Sequence, residues 1–156
     1  MKYRLRIRDE ESKKEINVSE DEIIEVKYKI GLAEDTNLAN SRSTVEMEIT
    51  GKIISNLENA GNNLNSENKS VNDDLYERNK KNIIDLVEWA ESYLQKSDYR
   101  NLEMFVDLGS NKKMDLKFTN MFVYNFLQEM SIEKGIGIFK LKLRQKFHQK
   151  NKLDIK

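Results

Sequence analysis

The sequence predicts a mainly β protein: an antiparallel β-barrel or sandwich with one amphipathic helix on its flank. Apolar and polar residues alternate with a two-residue period along much of the chain, the pattern of half-buried strands. A single stretch, around Ile83 to Leu94, keeps helical spacing instead. Roughly seven to nine strands around one helix, without regular strand and helix alternation, point away from a doubly wound parallel sheet.

The elements follow in order. Residues 2–8 set Tyr3, Leu5 and Ile7 on one side and Lys2, Arg4, Arg6 and Arg8 on the other. A turn at Asp9-Glu10-Glu11-Ser12 leads to residues 13–18, where Ile16 and Val18 pair back as a hairpin. Along 21–30, Ile24, Val26, Tyr28 and Ile30 point one way while Glu25, Lys27 and Lys29 point the other. In 44–54, Val45, Met47 and Ile49 alternate with Glu46, Glu48 and Thr50. The polar segment 31–43 between these strands is long for a hairpin connection. It reads as a surface loop or as an extended arm with an intermolecular role.

Residues 55–72 are rich in asparagine, serine and glutamate, too poor in apolar area to offset their ordering entropy, and are predicted to be a mobile insertion. The helix is expected over 74–96, capped by Asp73 or Asp74 and closed by Lys96, with Ile83, Leu86, Val87, Ala90 and Leu94 on its apolar stripe. Ile83, Leu86, Trp89 and Ala90 are its packing residues, Trp89 serving as an anchor rather than as a ligand-stacking ring. Alternation resumes with Leu102, Met104 and Val106, then Met114, Leu116 and Phe118 after the turn Gly109-Ser110-Asn111. Residues 121–128 form a further strand with Phe122, Tyr124 and Phe126 on one face and Met121 and Val123 on the other. The last strand, 135–147, turns Phe139, Leu141 and Leu143 inward and Lys140, Lys142, Arg144 and Lys146 outward; Gly135 and Gly137 permit a bulge or close approach.

A chain of 156 residues is expected to form a single domain, 1–156, with enough core to need no covalent staple. Cysteine is absent and His148 is the one histidine. That removes thiolate catalysis and cysteine-held metals, and argues against histidine-rich metal sites and a Ser-His-Asp triad. Neither a phosphate-cradling glycine loop nor a dinucleotide fingerprint occurs, because Gly135-Ile136-Gly137 opens a strand and not a helix. Carboxylate pairs such as Asp73-Asp74 or Glu46 and Glu48 are expected by chance among 27 acids. The reading is therefore of a non-enzyme with no catalytic residue, no cofactor and no metal. Its apolar runs fall far short of the roughly 20 residues of a membrane-spanning helix. The alternating N-terminus does not read as a secretory signal.

Charge is balanced overall, with 27 cationic and 27 acidic side chains, but not locally. Residues 134–156 hold eight lysines and arginines against Asp154 alone, including the basic tail 148–156. Such a face suits a nucleic-acid surface, an acidic face on another subunit, or a solvated strand with a floppy tail. Aromatic residues do not interleave with these cations in the sequence, which weakens nucleic-acid binding, the alternative function.

Three segments resemble one family. They are Ser43-Thr44-Val45-Glu46-Met47-Glu48-Ile49 after the polar arm, Asp85-Leu86-Val87-Glu88-Trp89-Ala90 on the helix, and Met114-Asp115-Leu116-Lys117-Phe118-Thr119-Asn120-Met121-Phe122-Val123, with Phe139 to Lys146 as a closing strand. Their order is similar to that of the haemolysin co-regulated proteins (Hcp) of type VI secretion and of the related tail-tube proteins of contractile phages and injection devices. The resemblance implies a structural, secreted β-barrel subunit of an inner tube. It implies assembly into rings, hexameric in the family, that stack into the tube and carry or deliver effectors, with sheath, baseplate and spike proteins as further partners and no membrane insertion. It also implies a cytoplasmic subunit during assembly, exported by the apparatus without a signal peptide. The arm would reach the next subunit through Asp35, Asn37, Asn40 and Arg42.

Overall fold

The computed structural model describes residues 1–32, 43–55, 66–93, 98–133, 136–146 and 153–156. Their elements run β1 (Lys2–Arg8), β2 (Glu15–Val18), β3 (Ile23–Leu32), β4 (Ser43–Ile53), α1 (Ser66–Glu91), β5 (Arg100–Gly109), β6 (Lys112–Ser131), β7 (Ile136–Gln145) and β8 (Leu153–Ile155). Every pairing is antiparallel. The strand order is β2-β1-β5-β6-β7-β4-β3, with β8 beside β6. This is the mainly β architecture with a flanking helix that the periodicity predicts.

The long strand β6 organises the whole. Its first half pairs with β5 and its second half with β7. Between them Asn120 takes φ 52°, a left-handed conformation that asparagine tolerates better than most residues. The Asn120 N–H donates to the Asn101 side chain at 3.2 Å, and its carbonyl accepts from the Lys146 N–H at 2.7 Å. Both backbone groups stay satisfied, so the chain turns a corner without ending the ladder. The two strands expected over 114–118 and 121–128 are therefore one.

Past the corner the sheet curls until its inner faces meet over a shared core. Tyr28 of β3 lies edge-on to Phe118 of β6 at 5.6 Å, and Phe126 stacks on Phe139 at 6.2 Å. Leu5, Ile7, Met47, Ile49, Leu102, Leu116 and Leu141 fill the rest. Two bulges shift the predicted faces. An irregularity between Ile23 and Glu25 buries Ile23 and leaves Ile24 exposed, opposite to the expected alternation. Another between Val123 and Asn125 brings Phe126 to the inner side, away from Phe122 and Tyr124. Gly137 faces Ile53, where an added Cβ would come within 2.8 Å of the Ile53 Cβ, so strands β4 and β7 need a glycine there.

Helix α1 begins at Ser66, so residues 66–72, read from composition as loop, are helical and Asp73 and Asp74 lie inside the helix. Once the segment after residue 74 is anchored on the sheet, each earlier residue adds a hydrogen bond at little entropic cost, and 66–73 contains neither glycine nor proline. The helix ends at Glu91, without a basic last turn. There the Ser92 hydroxyl donates to the Trp89 carbonyl at 2.6 Å, and Leu94 and Lys96 lie outside the described residues. Residues 153–156, expected as part of a floppy tail, instead pair with β6 through Leu116↔Ile155 and Lys117↔Asp154.

A buried polar knot ties α1 to the sheet. Glu22, fully buried in the corner between β2 and β3, accepts from the Ser19 N–H and hydroxyl and from the amides of Asn79 and Asn82. Asn79 also accepts from the Ile54 N–H and donates to the Lys52 carbonyl, while Asn82 donates to the Asn17 carbonyl. The carboxyl thus has donors for its lone pairs, which is what makes its burial tolerable.

Candidate assembly surface

The sheet carries its charges on its outer face. Arg6 meets Glu103 at 2.6 Å, and Lys117 approaches the same Glu103 at 3.6 Å. Across β7, β4 and β3 the pattern repeats in two rows. Arg144 and Lys29 flank Glu46 at 3.2 and 3.1 Å. Lys142 lies 3.7 Å from Glu48, which stands opposite Lys27 in the β3–β4 register. The hydrogen bond from Lys29, together with Arg144 nearby, holds the Glu46 carboxyl below the usual carboxylate range despite some burial.

These rows place the predicted basic face. Lys140, Lys142, Arg144 and Lys146 share the outward side of β7 and its end, but Lys142 and Arg144 are already engaged by acids of β4. Aromatic rings absent from the local sequence arrive from other segments. Arg144 sits 4.3 Å over Tyr124 and Lys146 4.3 Å over Tyr99, which packs on Phe122 at 5.8 Å. Only the strand pairing brings them together, so a reading along the chain misses them.

The predicted packing residues of α1 lie against the sheet. Leu86 and Trp89 are fully buried, Ile83 nearly so, and Ala90 packs at the margin of the core. The Trp89 indole donates to the Asp98 carbonyl at 2.7 Å. The arm residues Asp35, Asn37, Asn40 and Arg42, like His148, lie outside the described residues.

Two strand edges stand out. Among the described residues, β3 pairs with β4 on one side and with no strand on the other. Val26, Tyr28 and Ile30 share the inner face with the buried Ile49, Met47 and Val45 opposite them, yet Tyr28 is 39% and Ile30 50% exposed. Within the same sheet the pairing of β5 with β6 ends at Arg100↔Met121, so β6 beyond that point pairs with β7 alone among the described strands. Leu127 and Met130 on that half are 42% and 74% exposed. A groove of about 500 Å³ runs beside it, between Val87, Ala90 and Tyr93 of the helix end and Phe122, Tyr124 and Phe126 of β6. A second groove, about 410 Å³, is lined by both charge signs, among them Lys2, Arg4, Lys113, Glu20 and Asp107. Among the described residues no group of three or more histidine, cysteine, aspartate or glutamate side chains could hold a metal ion, and no helix is long and apolar enough to cross a membrane.

No protein-family model and no curated protein matches the sequence. Solved structures do match in architecture. The Hcp1 protein from E. coli EAEC 042 pathovar is similar at a TM-score of 0.57 and 9% identity, over 100% of this chain and 98% of that one. Hcp1 from Flavobacterium johnsoniae is similar at a TM-score of 0.51 and 12% identity, over 98% of this chain and 94% of that one. A chain of the sheath-tube complex of an extracellular contractile injection system, PVC, shows a TM-score of 0.49 at 8% identity, over 99% and 88% of the two chains. At such identities the likeness speaks of backbone path alone: this chain is similar in fold to the Hcp1 proteins.

Proposed function

We propose that this protein is a structural subunit of the inner tube of a contractile injection apparatus, assembling with copies of itself into stacked rings that carry or deliver effectors. The observation that carries this reading is a pair of strand edges without a partner among the described residues: the outer edge of β3, at the end of the sheet, and the half of β6 past Met121, where β7 is the one neighbour. An open edge is a template for another strand, and two different open edges on one molecule favour head-to-tail contacts that close into a ring. The Hcp1 fold over the full chain supports the same conclusion.

The subunit works by association and makes or breaks no bond. Its ring is a hexamer that meets sheath, baseplate and spike proteins, is built in the cytoplasm, and leaves through the apparatus itself. Glu48 and Glu46 already engage Lys142 and Arg144 of the basic strand, which counts against a phosphate backbone as the partner of that face. Negative-stain electron microscopy with light scattering over a range of concentrations tests the reading. Rings of uniform diameter are expected; a species that stays monomeric at the highest concentration overturns it.

A further inference from the structure

We infer that Asn120 is the residue that keeps the second half of β6 open to another strand. The inference rests on the ring-forming reading above and names what positions an edge which that reading requires. Among the described non-glycine residues with a positive φ, Lys13, Ser110 and Asn111 lie in the β1–β2 and β5–β6 connections, and Asn120 alone lies inside a strand. Its place along β6 coincides with a change of neighbours. The ladder with β5 ends at Arg100↔Met121, after a register shift between Arg100 and Leu102, and the ladder with β7 begins at Met121↔Gln145. From Met121 onward, the side of β6 that faced β5 has no strand among the described residues.

Two straight antiparallel strands go on pairing for as long as both continue. Extended at the Arg100↔Met121 register, Tyr99 would stand opposite Phe122 and Asp98 opposite Val123. The left-handed residue at φ 52° prevents this, because it turns β6 aside before the ladder extends. The turn leaves no backbone group of the corner wanting: the Asn120 N–H donates to the Asn101 side chain, its carbonyl accepts from the Lys146 N–H, and the Thr119 carbonyl accepts from the Gln145 side chain at 2.9 Å. The chain that parts from β6 is held elsewhere. The Trp89 indole donates to the Asp98 carbonyl at 2.7 Å, and the Arg100 guanidinium lies 5.4 Å over the same indole. Tyr99 meets Phe122 through ring contact, with centroids 5.8 Å apart, and carries Lys146 on its face. Segment 98–100 is thus engaged by the helix and by side chains, and the backbone of β6 past the corner keeps hydrogen-bonding groups for a strand from outside. The groove between the helix end and Phe122–Phe126 runs along this stretch. Asparagine suits the post because it enters the left-handed region at low cost, whereas a β-branched residue there draws the strand straight.

Three variants separate this role from stability alone. Asn120→Gly keeps the left-handed conformation and is expected to assemble at the native concentration, within about twofold. Asn120→Val favours an extended backbone and is expected to raise the concentration needed for rings about tenfold. Val106→Ala trims a buried side chain at the other end of β5, opposite Met114, and lowers stability without moving the edge, so its rings are expected at the native concentration. Light scattering gives the thresholds and circular dichroism shows that the fold is kept. Should the valine variant not fold, Asn120→Ala, with a smaller side chain, is expected to shift the threshold in the same direction. Hydrogen exchange in dilute, unassembled protein supplies a second readout. The faster-exchanging amides of residues 122–124 are expected to slow about tenfold in Asn120→Val, as β5 extends along them, and to stay fast in Asn120→Gly. Equal thresholds for valine and glycine, or exchange that valine leaves unchanged, overturn the role of Asn120 and leave the tube reading standing. Native protein that forms no rings overturns the tube reading, and the exchange of 122–124 then still decides on Asn120.

Discussion

Asn82 donates its side-chain amide to both oxygens of Glu22, at 3.1 and 3.2 Å, from a position 60 residues further along the chain. With Asn79 one turn earlier, it makes the helix a lid pinned by polar contacts as well as by its apolar stripe. Among the described residues, each group bonded to the Glu22 carboxyl is a donor. Glu22→Gln turns two of its own donors toward them, and Glu22→Ala leaves several without an acceptor. Either change is expected to lower stability by about 2–3 kcal/mol. Urea unfolding measures this; a shift in midpoint worth less than about 0.5 kcal/mol would sink the account.

Trp89 is fully buried and its indole is hydrogen-bonded. Trp89→Ala removes the largest side chain of the helix face and leaves a cavity, at about 3–5 kcal/mol. Trp89→Phe keeps most of the apolar area, loses the bond to the Asp98 carbonyl, and should fall between the mutant above and the native protein. Thermal denaturation orders the three, and equal midpoints for Phe and Ala would show that the hydrogen bond, not the packing, dominates.

At Asn120 the backbone conformation decides the outcome. Asn120→Gly keeps φ 52° accessible and is expected to change stability by less than about 1 kcal/mol. Asn120→Val places a β-branched side chain in the left-handed region and is expected to cost about 1–3 kcal/mol more. If valine and glycine behave alike, β6 does not depend on this corner.

Acid should weaken the N-terminal hairpin. Burial alone would raise the Asp9 carboxyl, but the Ser12 hydroxyl at 2.5 Å, the Glu11 N–H at 3.1 Å and the charge of Arg100 together hold it below its ordinary 3.8. The folded protein thus binds this proton less tightly than the unfolded chain. The stabilisation is fully present above pH 3.8 and is lost as pH falls through the lower folded value. Glu46 adds the same dependence below its ordinary 4.5. Stability measured from about pH 6 to pH 2 should decline with falling pH, and Asp9→Asn should flatten that slope. An unchanged slope in the variant would remove Asp9 from the account.

Much of this architecture was legible from side-chain period. Tyr3, Leu5 and Ile7, or Val45, Met47 and Ile49, announce strands because a half-buried ladder repeats every two residues. What escaped is what period cannot carry. The bulges at Ile23 and Val123 change a face by one residue without changing composition. Two strands were expected on either side of Asn120, and only its paired backbone shows that the strand continues through it. The helix start at Ser66 lay hidden in an asparagine-rich tract whose composition suggests a loop. As for the assembly surface, Lys140, Lys142, Arg144 and Lys146 were visible as a row, but Tyr124 and Tyr99 reach Arg144 and Lys146 from other segments, and the acids that engage Lys142 and Arg144 sit about a hundred residues away. An unpaired edge leaves no mark of its own in a sequence, because edge and central strands share one alternation.

The pairing of Lys2 with Asp107 and of Arg8 with Asn101 sets a timetable for synthesis. β1 has only the short β2 beside it until β5 emerges about a hundred residues later. At roughly 5–20 residues per second this means a wait of about 5–20 s. During that interval Leu5 and Ile7 wait for Met104 and Leu102 opposite them, so this hairpin is a stretch of the nascent chain that a chaperone would shield.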